Sequence, residues 1–274
     1  KGINLYGETR LLQATYIHMI NNYNQGNNIP LELITFCDSP PGSGLGSSST
    51  LVVAMVKAFC KLLDLDIDDY HISEIAYVIE RIECSLNGGK QDQYSAAFGG
   101  FNFIEFKKNN QVNVSSLDLD HKMIQELESS LLLFFTGISR DSEKIIENQS
   151  RNVKNDNKKT INALKFIKSE ALQMRDHLIN CDIDGIVSSM NSSWENKKKS
   201  SNIISNSLIE KVYNSAIKSG ALAGKVSGAG GGGFMIFFVP ITKRKTVIDA
   251  LNKYNGQVSN THFTDIGARS WKIR

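Results

Sequence analysis

The chain has 274 residues, of which 41% are hydrophobic and 22% charged, as expected for a globular protein that can bury a sizeable core. Its formal net charge of +3 is too weak to favour a nucleic-acid partner, and we interpret the longest basic run, Lys197-Lys198-Lys199, as a solvated helix face or loop. No apolar run approaches the roughly 20 residues that a membrane span needs, and the N-terminus shows no signal-peptide pattern. Composition therefore favours neither nucleic acid nor a membrane as a partner.

The four cysteines, Cys37, Cys60, Cys84 and Cys181, are not spaced as metal ligands or as a redox pair. None belongs to a CxxC motif, and none stands near a histidine at the spacing of a zinc site. Free thiols of this kind are typical of a reducing compartment. We therefore predict a cytoplasmic protein.

The first half of the chain alternates apolar segments with glycine-rich turns, and hydrophobic periodicity predicts its elements. The predicted helices are Leu11–Asn22, about Ser47–Leu63 with most of its surface buried, about Ser73–Cys84 with Ser73 as N-cap, and a short one within Gly88–Gly100. The predicted strands are Leu31–Asp38 and the alternating segment FNFIEF (Phe101–Phe106).

The second half of the chain is mainly helical. Its predicted strands are Leu131–Thr136, FMIFFV (Phe234–Val239), and short ones around Gln257–Phe263 and Ser270–Ile273. Predicted helices lie near Lys144–Val153, Asn157–Asn180, Asp184–Trp194, Asn206–Ser219 and Thr242–Tyr254. In the longest, apolar residues recur every three or four positions and indicate core packing, namely Ile161, Leu164, Ile167, Ala171, Met174 and Leu178. The interleaved order favours an α+β fold of two lobes, which we place at residues 1–125 and 126–274.

Three glycines at alternate positions lead into the second predicted helix. The segment SPPGSGLGSSST (Ser39–Thr50) places Gly42, Gly44 and Gly46 directly before four hydroxyl side chains. Glycine allows positive φ and close approach of backbone N–H groups, and a helix N-terminus adds unpaired N–H groups and the positive end of a dipole. The pattern favours an anion cradle suited to phosphate, the alternative being a tight turn with a serine cap.

Two common nucleotide-binding loops do not fit the sequence. A Walker A loop needs lysine after its last glycine, whereas Ser47 follows Gly46. The dinucleotide fingerprint GxGxxG does occur at Gly228, Gly230 and Gly233, but a predicted strand follows it where the fingerprint requires a helix. The sequence therefore disfavours both a P-loop NTPase and an NAD-binding fold.

A second glycine-flanked segment, GGKQDQ (Gly88–Gln93), contains an acid. Asp92 is a candidate for orienting or deprotonating a hydroxyl group. Lys90 would keep this carboxylate ionised through a nearby positive charge.

A pair of glutamates precedes that segment. Glu80 and Glu83 are one helical turn apart and share a face of the predicted helix. One glutamate and a loop serine would suffice for Mg²⁺, which takes oxygen ligands and keeps several waters. The alternative is a solvated helix face on which the glutamates pair with Arg81.

A third glycine run, GAGGGG (Gly228–Gly233), follows Lys225-Val226-Ser227. Such a run packs no side chains, so its backbone must lie against something else. The sequence leaves open whether that is another backbone or a ligand.

In this order, the segments PPGSGLGSSST, GGKQDQYSAAFGG and KVSGAGGGGF resemble the GHMP kinases, the family of galactokinase, homoserine kinase, mevalonate kinase and phosphomevalonate kinase. The match spans about Asp38 to Phe238, which is most of the chain. The GKQDQ form, with FTGISRDS (Phe135–Ser142) downstream, looks most like the branch that phosphorylates D-glycero-D-manno-heptose 7-phosphate.

The resemblance implies a two-lobed α+β fold with a left-handed βαβ unit and a cleft between the lobes. The N-terminal lobe would be similar to ribosomal S5 domain 2 and the C-terminal lobe ferredoxin-like. ATP would lie with its triphosphate over the first glycine loop. The contacts that the resemblance implies for ATP are Pro41, Gly42, Ser43, Gly44, Leu45, Gly46, Ser47, Ser48 and Ser49.

The resemblance also implies the chemistry of the site. Mg²⁺ would be held by Ser47 or Ser48 and by Glu80, whose distance before Asp92 suits the family better than that of Glu83. Asp92 would act as the base and, with Lys90 beside it, form the catalytic pair.

The resemblance also suggests residues that contact the sugar phosphate. Arg140 is the candidate for gripping the sugar's phosphate, since a guanidinium suits bidentate contact; the alternative is a surface ion pair with Asp141 or Glu143. The remaining contacts implied for the substrate are Asp92, Gly228, Ala229, Gly230 and Gly231.

The resemblance predicts transfer of the γ-phosphoryl group of ATP to the anomeric C1 hydroxyl of the heptose 7-phosphate. The bisphosphate formed would feed nucleotide-activated heptose for surface polysaccharide. A GHMP kinase for an unphosphorylated sugar or a mevalonate-type alcohol, and a nucleotide-binding relative without catalysis, stay open. The oligomeric state also stays open, a homodimer included.

One feature departs from the family pattern. Family members carry a strand and a substrate motif well before the phosphate loop, whereas 38 residues precede Ser39 here. We therefore expect an N-terminal segment to be missing from this sequence or reduced in this protein.

Overall fold

The computed structural model describes residues 7, 9–40, 42–138 and 142–273 of the chain. The chain divides into two compact units, the first made of Lys1–Pro40, Gly46–Ser116 and Thr264–Arg274 and the second of Pro41–Leu45 and Leu117–Phe263. Helices and sheets occur in both, which confirms the predicted α+β class. The lobe boundary at residues 125 and 126 stays a prediction. None of the described helices is long and apolar enough to cross a membrane.

The first unit is built around one buried helix. Its elements are α1 (Arg10–Tyr23), α2 (Ser47–Leu62), α3 (Asp69–Tyr77), a π-helix (Val78–Glu83), α4 (Gln91–Phe98) and the antiparallel strands β1 (Asn102–Phe106) and β2 (Val112–Ser116). Helix α2 buries several faces, because Val52, Val53 and Met55 point in different directions and are all at most 3% exposed. The neighbouring helices pack their apolar residues onto it, so the predicted burial of this helix is confirmed.

The C-terminal segment holds helix α4 at its last turn. The backbone N–H of Ala268 donates to the carbonyl oxygen of Ala96 over 3.0 Å. Gly267 passes so close to α4 that a Cβ on it would overlap the carbonyl oxygen of Ala97. Glycine at this position therefore permits the close approach that anchors the helix.

The second unit contains a four-stranded antiparallel sheet. Its elements are α5 (His121–Ser130), β3 (Leu131–Phe135), α6 (Ser142–Lys154), α7 (Lys158–Ile179), α8 (Ile183–Ser200), α9 (Ser207–Lys218), β4 (Ala223–Val226), β5 (Phe234–Phe238), a 3₁₀ turn (Ile241–Lys243), α10 (Arg244–Leu251) and β6 (Gln257–Asn260). The strand order is β4-β5-β3-β6. Alternate residues of β3 and β5, such as Phe134 and its partner Met235, face one core, as the two-residue period of a strand requires.

Two predicted strands are wrong. Residues 31–37 and 270–273 form neither helix nor strand, and neither segment pairs with a strand among the residues that the structure describes. Their apolar side chains stay largely exposed, with Phe36 at 87% and Ile273 at 90%. Alternation predicts strand conformation, but a sheet also needs a partner. Because both sheets are antiparallel throughout, the implied left-handed βαβ unit is not among the described strand pairings.

Two details of the helices also differ from expectation. The helix predicted to begin at Ser73 begins at Asp69, because the Asp68 side chain accepts from the N–H of His71 and caps it. The helix predicted over 242–254 opens with the 3₁₀ turn and ends at Leu251.

The apolar stripe of α7 does not form core, contrary to the prediction. Its residues are half-buried or exposed, with Leu164 at 37%, and the residues that α7 does bury are Thr160, Ala163 and Glu170. Helical periodicity predicted the helix correctly, but none of the six residues of the stripe is buried.

Candidate active site

The N-terminus of α2 meets the requirements for a phosphate cradle. Gly42, Gly44 and Gly46 all have positive φ, between 71° and 81°, where a side chain would be strained. Gly46 occupies the N-cap position of α2, and no side chain caps the helix there. The first N–H groups of α2 are therefore available to an anion, with the positive end of the helix dipole behind them.

A buried carboxylate lies against the first turn of α2. Glu80 is 0% exposed, and the hydroxyls of Ser48 and Ser49 donate to its two oxygens, Oε1 over 2.7 Å and Oε2 over 2.6 Å. The amide of Gln93 donates to Oε2 over 2.6 Å, and the Arg81 guanidinium lies 3.3 Å from Oε1. The buried carboxylate therefore has hydrogen-bond or ion-pair partners at both of its oxygens.

The π-helix separates the two glutamates that the sequence placed on one face. Glu80 points into the interior, whereas Oε1 of Glu83 lies within hydrogen-bond distance of His18 Nδ1, at 2.6 Å. In a π-turn each N–H bonds to a carbonyl five residues back instead of four, so the turn is wider and residues three apart align less well; such turns are frequent at functional sites. Of the two, the structure therefore brings only Glu80 to the serines of α2.

Asp92 lies beside the helix N-terminus. A Cβ placed on Gly46 would lie 3.0 Å from Cγ of Asp92 and 3.3 Å from its Oδ2, so the carboxylate occupies the space that the glycine leaves. Partial burial raises the pKa of Asp92, the positive charge of Arg81 lowers it, and the negative charge of Glu80 raises it further, with a net upward shift. A side chain that remains accessible with a raised pKa suits an acceptor of protons.

The cation beside Asp92 is not the one that the sequence suggested. Lys90 donates to both oxygens of Glu74 over 3.1 and 3.0 Å and lies 4.5 Å from the ring centre of Tyr77. The electrostatic effect on Asp92 comes from Arg81. The expectation that Lys90 keeps Asp92 ionised is therefore corrected, because the lysine is engaged with an acid of its own.

Arg81 is the residue of this site that sequence reasoning missed. Its guanidinium lies against Gly88, where a Cβ would overlap it, and its Nε donates to the carbonyl of Gly89 over 3.3 Å. A side chain that is 12% exposed and held by two glycines has a defined position. Its place next to Glu80 in the sequence was a signal, but it entered the sequence reasoning only as the partner of the glutamates on a solvated helix face.

In the second unit, the third glycine run packs against the segment that begins the first glycine loop. The hydroxyl of Ser227 donates to the carbonyl of Gly44 over 3.2 Å, and the N–H of Phe234 donates to the carbonyl of Ser43 over 2.9 Å. A Cβ on Gly233 would overlap that same carbonyl. The third glycine run therefore supports the backbone of the first glycine loop at Ser43 and Gly44.

The other glycines of this run meet hydrophobic side chains. Cβ atoms on Gly230 and Gly231 would lie 2.8 Å from Ile204 and 2.7 Å from Ile145, and Ala229 packs on the core of the second unit. The carbonyl of Gly228 accepts from Lys197, so the basic run is not simply a solvated face. Contact of this run with a substrate stays a prediction.

Two predicted contacts, Pro41 and Arg140, lie outside the described residues, as does Asp141. Among the described residues, no group of three or more His, Cys, Asp or Glu side chains could hold a metal ion. A nucleotide-bound Mg²⁺ needs fewer protein ligands. The pair of oxygens from Ser48 and Glu80, 2.7 Å apart, is a hard-ligand set that fits such an ion.

Comparison with known proteins agrees with this geometry. The model of the GHMP kinases N terminal domain matches residues 10–100, and that of the GHMP kinases C terminal domain matches residues 174–257. The chain therefore belongs to the GHMP kinase family and is a phosphotransferase. Kinases of this family take their phosphoryl group from ATP.

The chain is similar to enzymes named for heptose phosphates. It is 40% identical over 267 residues to D-glycero-alpha-D-manno-heptose 7-phosphate kinase of Campylobacter jejuni subsp. jejuni serotype O:2, which covers 97% of this chain and 78% of that relative. A crystal structure of a D-glycero-D-manno-heptose 1-phosphate kinase from Bacteroides thetaiotaomicron superimposes with a TM-score of 0.78 and 37% identity, over 99% of this chain and 77% of that one. For a putative sugar kinase from Campylobacter jejuni the TM-score is 0.81 and the identity 39%, over 100% and 77%.

Proposed function

We propose that this protein is an ATP-dependent kinase that phosphorylates the anomeric C1 hydroxyl of D-glycero-D-manno-heptose 7-phosphate. The product is the 1,7-bisphosphate, which feeds nucleotide-activated heptose for surface polysaccharide. The similarity at 40% identity to a heptose 7-phosphate kinase supports the substrate class. The GKQDQ and FTGISRDS segments support the same branch of the family.

The proposal depends on one juxtaposition, that of Asp92 with Gly46. The carboxylate lies at the mouth of a helix whose first N–H groups have no side-chain cap. An acid placed there can face the terminal phosphate of a nucleotide that the N–H groups hold. Phosphoryl transfer depends mainly on such positioning and on electrostatic stabilisation.

The reaction is a transfer of the γ-phosphoryl group in which each part of the site has its own role. The sugar O1 attacks the γ-phosphorus of ATP, the bond from that phosphorus to the bridging oxygen breaks, and ADP leaves. Asp92 accepts the proton of the attacking hydroxyl. The N–H groups of the loop and of the first turn of α2 stabilise the negative charge of the phosphates.

Magnesium is the ion that this family's chemistry calls for, and Ser48 and Glu80 are the residues that would hold it. Bound there, it would neutralise charge on the nucleotide phosphates. Arg140 remains our candidate for the phosphate that the sugar already carries, because a guanidinium matches phosphate geometry.

A second candidate acceptor follows from the name of one solved relative. That protein is called a heptose 1-phosphate kinase, which would place the transferred group on the C7 hydroxyl. Both reactions give the same bisphosphate, so the product alone does not separate them. The two monophosphates must be supplied separately.

The test is ADP release measured with each acceptor in turn. The panel contains both anomers of the heptose 7-phosphate, the heptose 1-phosphate, the unphosphorylated heptose, L-fucose, galactose and mevalonate. We expect the highest kcat/KM with the 7-phosphate, and phosphorus NMR should show the new phosphate on C1. A higher kcat/KM with an unphosphorylated sugar or with mevalonate would contradict the proposal, and so would transfer to C7.

A further inference from the structure

The residue after Asp92 is buried and turned towards Glu80. Gln93 is 0% exposed, and its Nε2 donates to Oε2 of Glu80 over 2.6 Å and to the hydroxyl of Ser49 over 3.2 Å. The same hydroxyl donates to Oε2 over 2.6 Å. Gln93 and Ser49 therefore form a closed triangle with one oxygen of the glutamate.

The two oxygens of Glu80 have different surroundings. Oε2 is enclosed by the buried groups of Gln93 and Ser49, whereas Oε1 faces Ser48 at 2.7 Å and Arg81 at 3.3 Å. Turning the carboxylate out of its present plane would break both bonds to Oε2 and leave a buried oxygen without donors, which is unfavourable. The triangle thus fixes the plane of the carboxylate, with one oxygen held in the interior and the other facing the serine at the helix N-terminus.

In this arrangement the Gln93 amide donates two hydrogen bonds but accepts none from the described residues. Its Oε1 is buried and meets no donor among the residues that the structure describes. Exchanging the oxygen and nitrogen of the amide would set Oε1 against the carboxylate of Glu80 and would remove both donated bonds. A buried acceptor without a donor is rare and calls for an explanation, and here the explanation is the orientation of Glu80.

We propose that Gln93 is a positioning residue that fixes Oε2 of Glu80 in the interior and so presents Oε1, together with Ser48, to the magnesium ion that accompanies the nucleotide. The inference rests on the nucleotide-binding part of the proposed function and not on the identity of the sugar. Partners that orient a metal ligand typically change metal affinity or activity by about 10- to 100-fold when they are replaced.

The test is the Gln93→Met variant, in which a side chain of similar length can no longer donate. Isothermal titration calorimetry with ADP, in the presence and absence of Mg²⁺, measures binding without any turnover. We expect the Mg²⁺-dependent part of ADP affinity to fall by about 10-fold or more, with affinity in EDTA unchanged. Equal Mg²⁺ dependence in the variant and the unmodified protein would overturn the proposal, even if the variant melted at a lower temperature.

Two further variants keep the test decisive. Gln91→Met changes an exposed glutamine of the same helix and should leave Mg²⁺ dependence as it is. Ser49→Ala opens the same triangle with a smaller change, so it should weaken Mg²⁺-dependent binding too, and its effect should be less than additive with that of Gln93→Met. Ser49→Ala serves as the test if Gln93→Met does not fold, and unchanged Mg²⁺ dependence in it would then overturn the proposal.

Failure of the proposed sugar substrate would be distinguishable from failure of the role proposed for Gln93. If no sugar phosphate supports ADP release but Gln93→Met still loses Mg²⁺-dependent ADP binding, the proposed reaction is wrong and the role of Gln93 stands. If the kinase is active and Gln93→Met binds Mg²⁺ and ADP normally, this inference alone is wrong.

Discussion

The glycines before α2 and the glycines between β4 and β5 use the absence of a side chain in different ways. At Gly46 the free space holds the carboxylate of Asp92. At Gly233 it holds the backbone carbonyl of Ser43. Both glycines have a φ above 70°, so conformation alone does not tell the two apart. What distinguishes them is the group that stands opposite.

The backbone N–H groups of the two segments also differ. Those at the start of α2 have no side-chain cap. In the second segment, the N–H of Gly231 donates to Ile204 and that of Gly233 donates to Ile138. A glycine run whose donors are used by the protein is structural support, whereas one with available donors is a place for an anion. The comparison therefore favours the first run as the place where a ligand would bind, which stays a prediction.

Replacing the acid should have the largest effect. We expect Asp92→Asn to lower kcat by about 100-fold or more, because the variant cannot accept a proton. Steady-state ADP release measures this, and circular dichroism checks the fold. Retained turnover in Asp92→Asn would show that Asp92 is not the base.

The same variant gives a stability prediction whose sign follows from the pKa. The pKa of Asp92 is raised in the folded protein, so the folded state binds the proton more tightly than the unfolded state does. Protonation of Asp92 therefore stabilises the fold at low pH, and this stabilisation is lost as pH rises through the folded pKa. Asparagine carries no charge and avoids that loss. The melting temperature of Asp92→Asn at pH 7 should equal or exceed that of the unmodified protein, and a clear decrease would contradict the account.

Substitution in the second segment should act on folding. Gly233→Ala adds a Cβ that overlaps backbone and forces alanine into positive φ, so we expect a loss of about 2–4 kcal/mol in the free energy of unfolding. Urea denaturation measures it. A loss of activity without a loss of stability would instead give this segment a direct role in the ligand site.

Substitution at Gly46 should affect both stability and turnover. Alanine there is strained by about 1–2 kcal/mol, and its Cβ would press on Asp92. The matched control is Gly26→Ala, which has a similar φ of 75° but nothing within 4 Å of the added Cβ. We expect similar losses of stability in both variants and a fall in kcat, by roughly 10-fold, only in Gly46→Ala. Equal kcat in both variants would show that the space at Gly46 is not needed for the role of Asp92.

Removing the cation near the acid should give the smallest effect at neutral pH. Arg81 lowers the pKa of Asp92, so Arg81→Gln should raise that pKa and move the acidic limb of kcat/KM to higher pH. The variant then loses activity in acid at a higher pH than the unmodified protein does, and its activity recovers towards alkaline pH. Arg81→Lys should keep more of the unmodified profile, and a pH profile that does not move in Arg81→Gln would exclude this coupling.

Much of this molecule follows from local sequence. The helix at Ser47–Leu62 and the strand at Phe234–Phe238 form where periodicity and glycine punctuation place them. The three glycine motifs, in their order, were enough to indicate the family. These features depend on neighbours along the chain, whose spacing is visible in the sequence.

Tertiary structure alone decided the rest. Residues 31–37 have the pattern of a strand but no partner among the described residues, and Lys90 meets Glu74 and not Asp92. Pairing of strands and the partner of a charge are properties of segments distant in sequence, so no local pattern contains them. The N-terminus of α2 and the position of Asp92 in the sequence predicted a phosphate site and an acid, and only the folded chain showed that Gly46 leaves the space in which they meet.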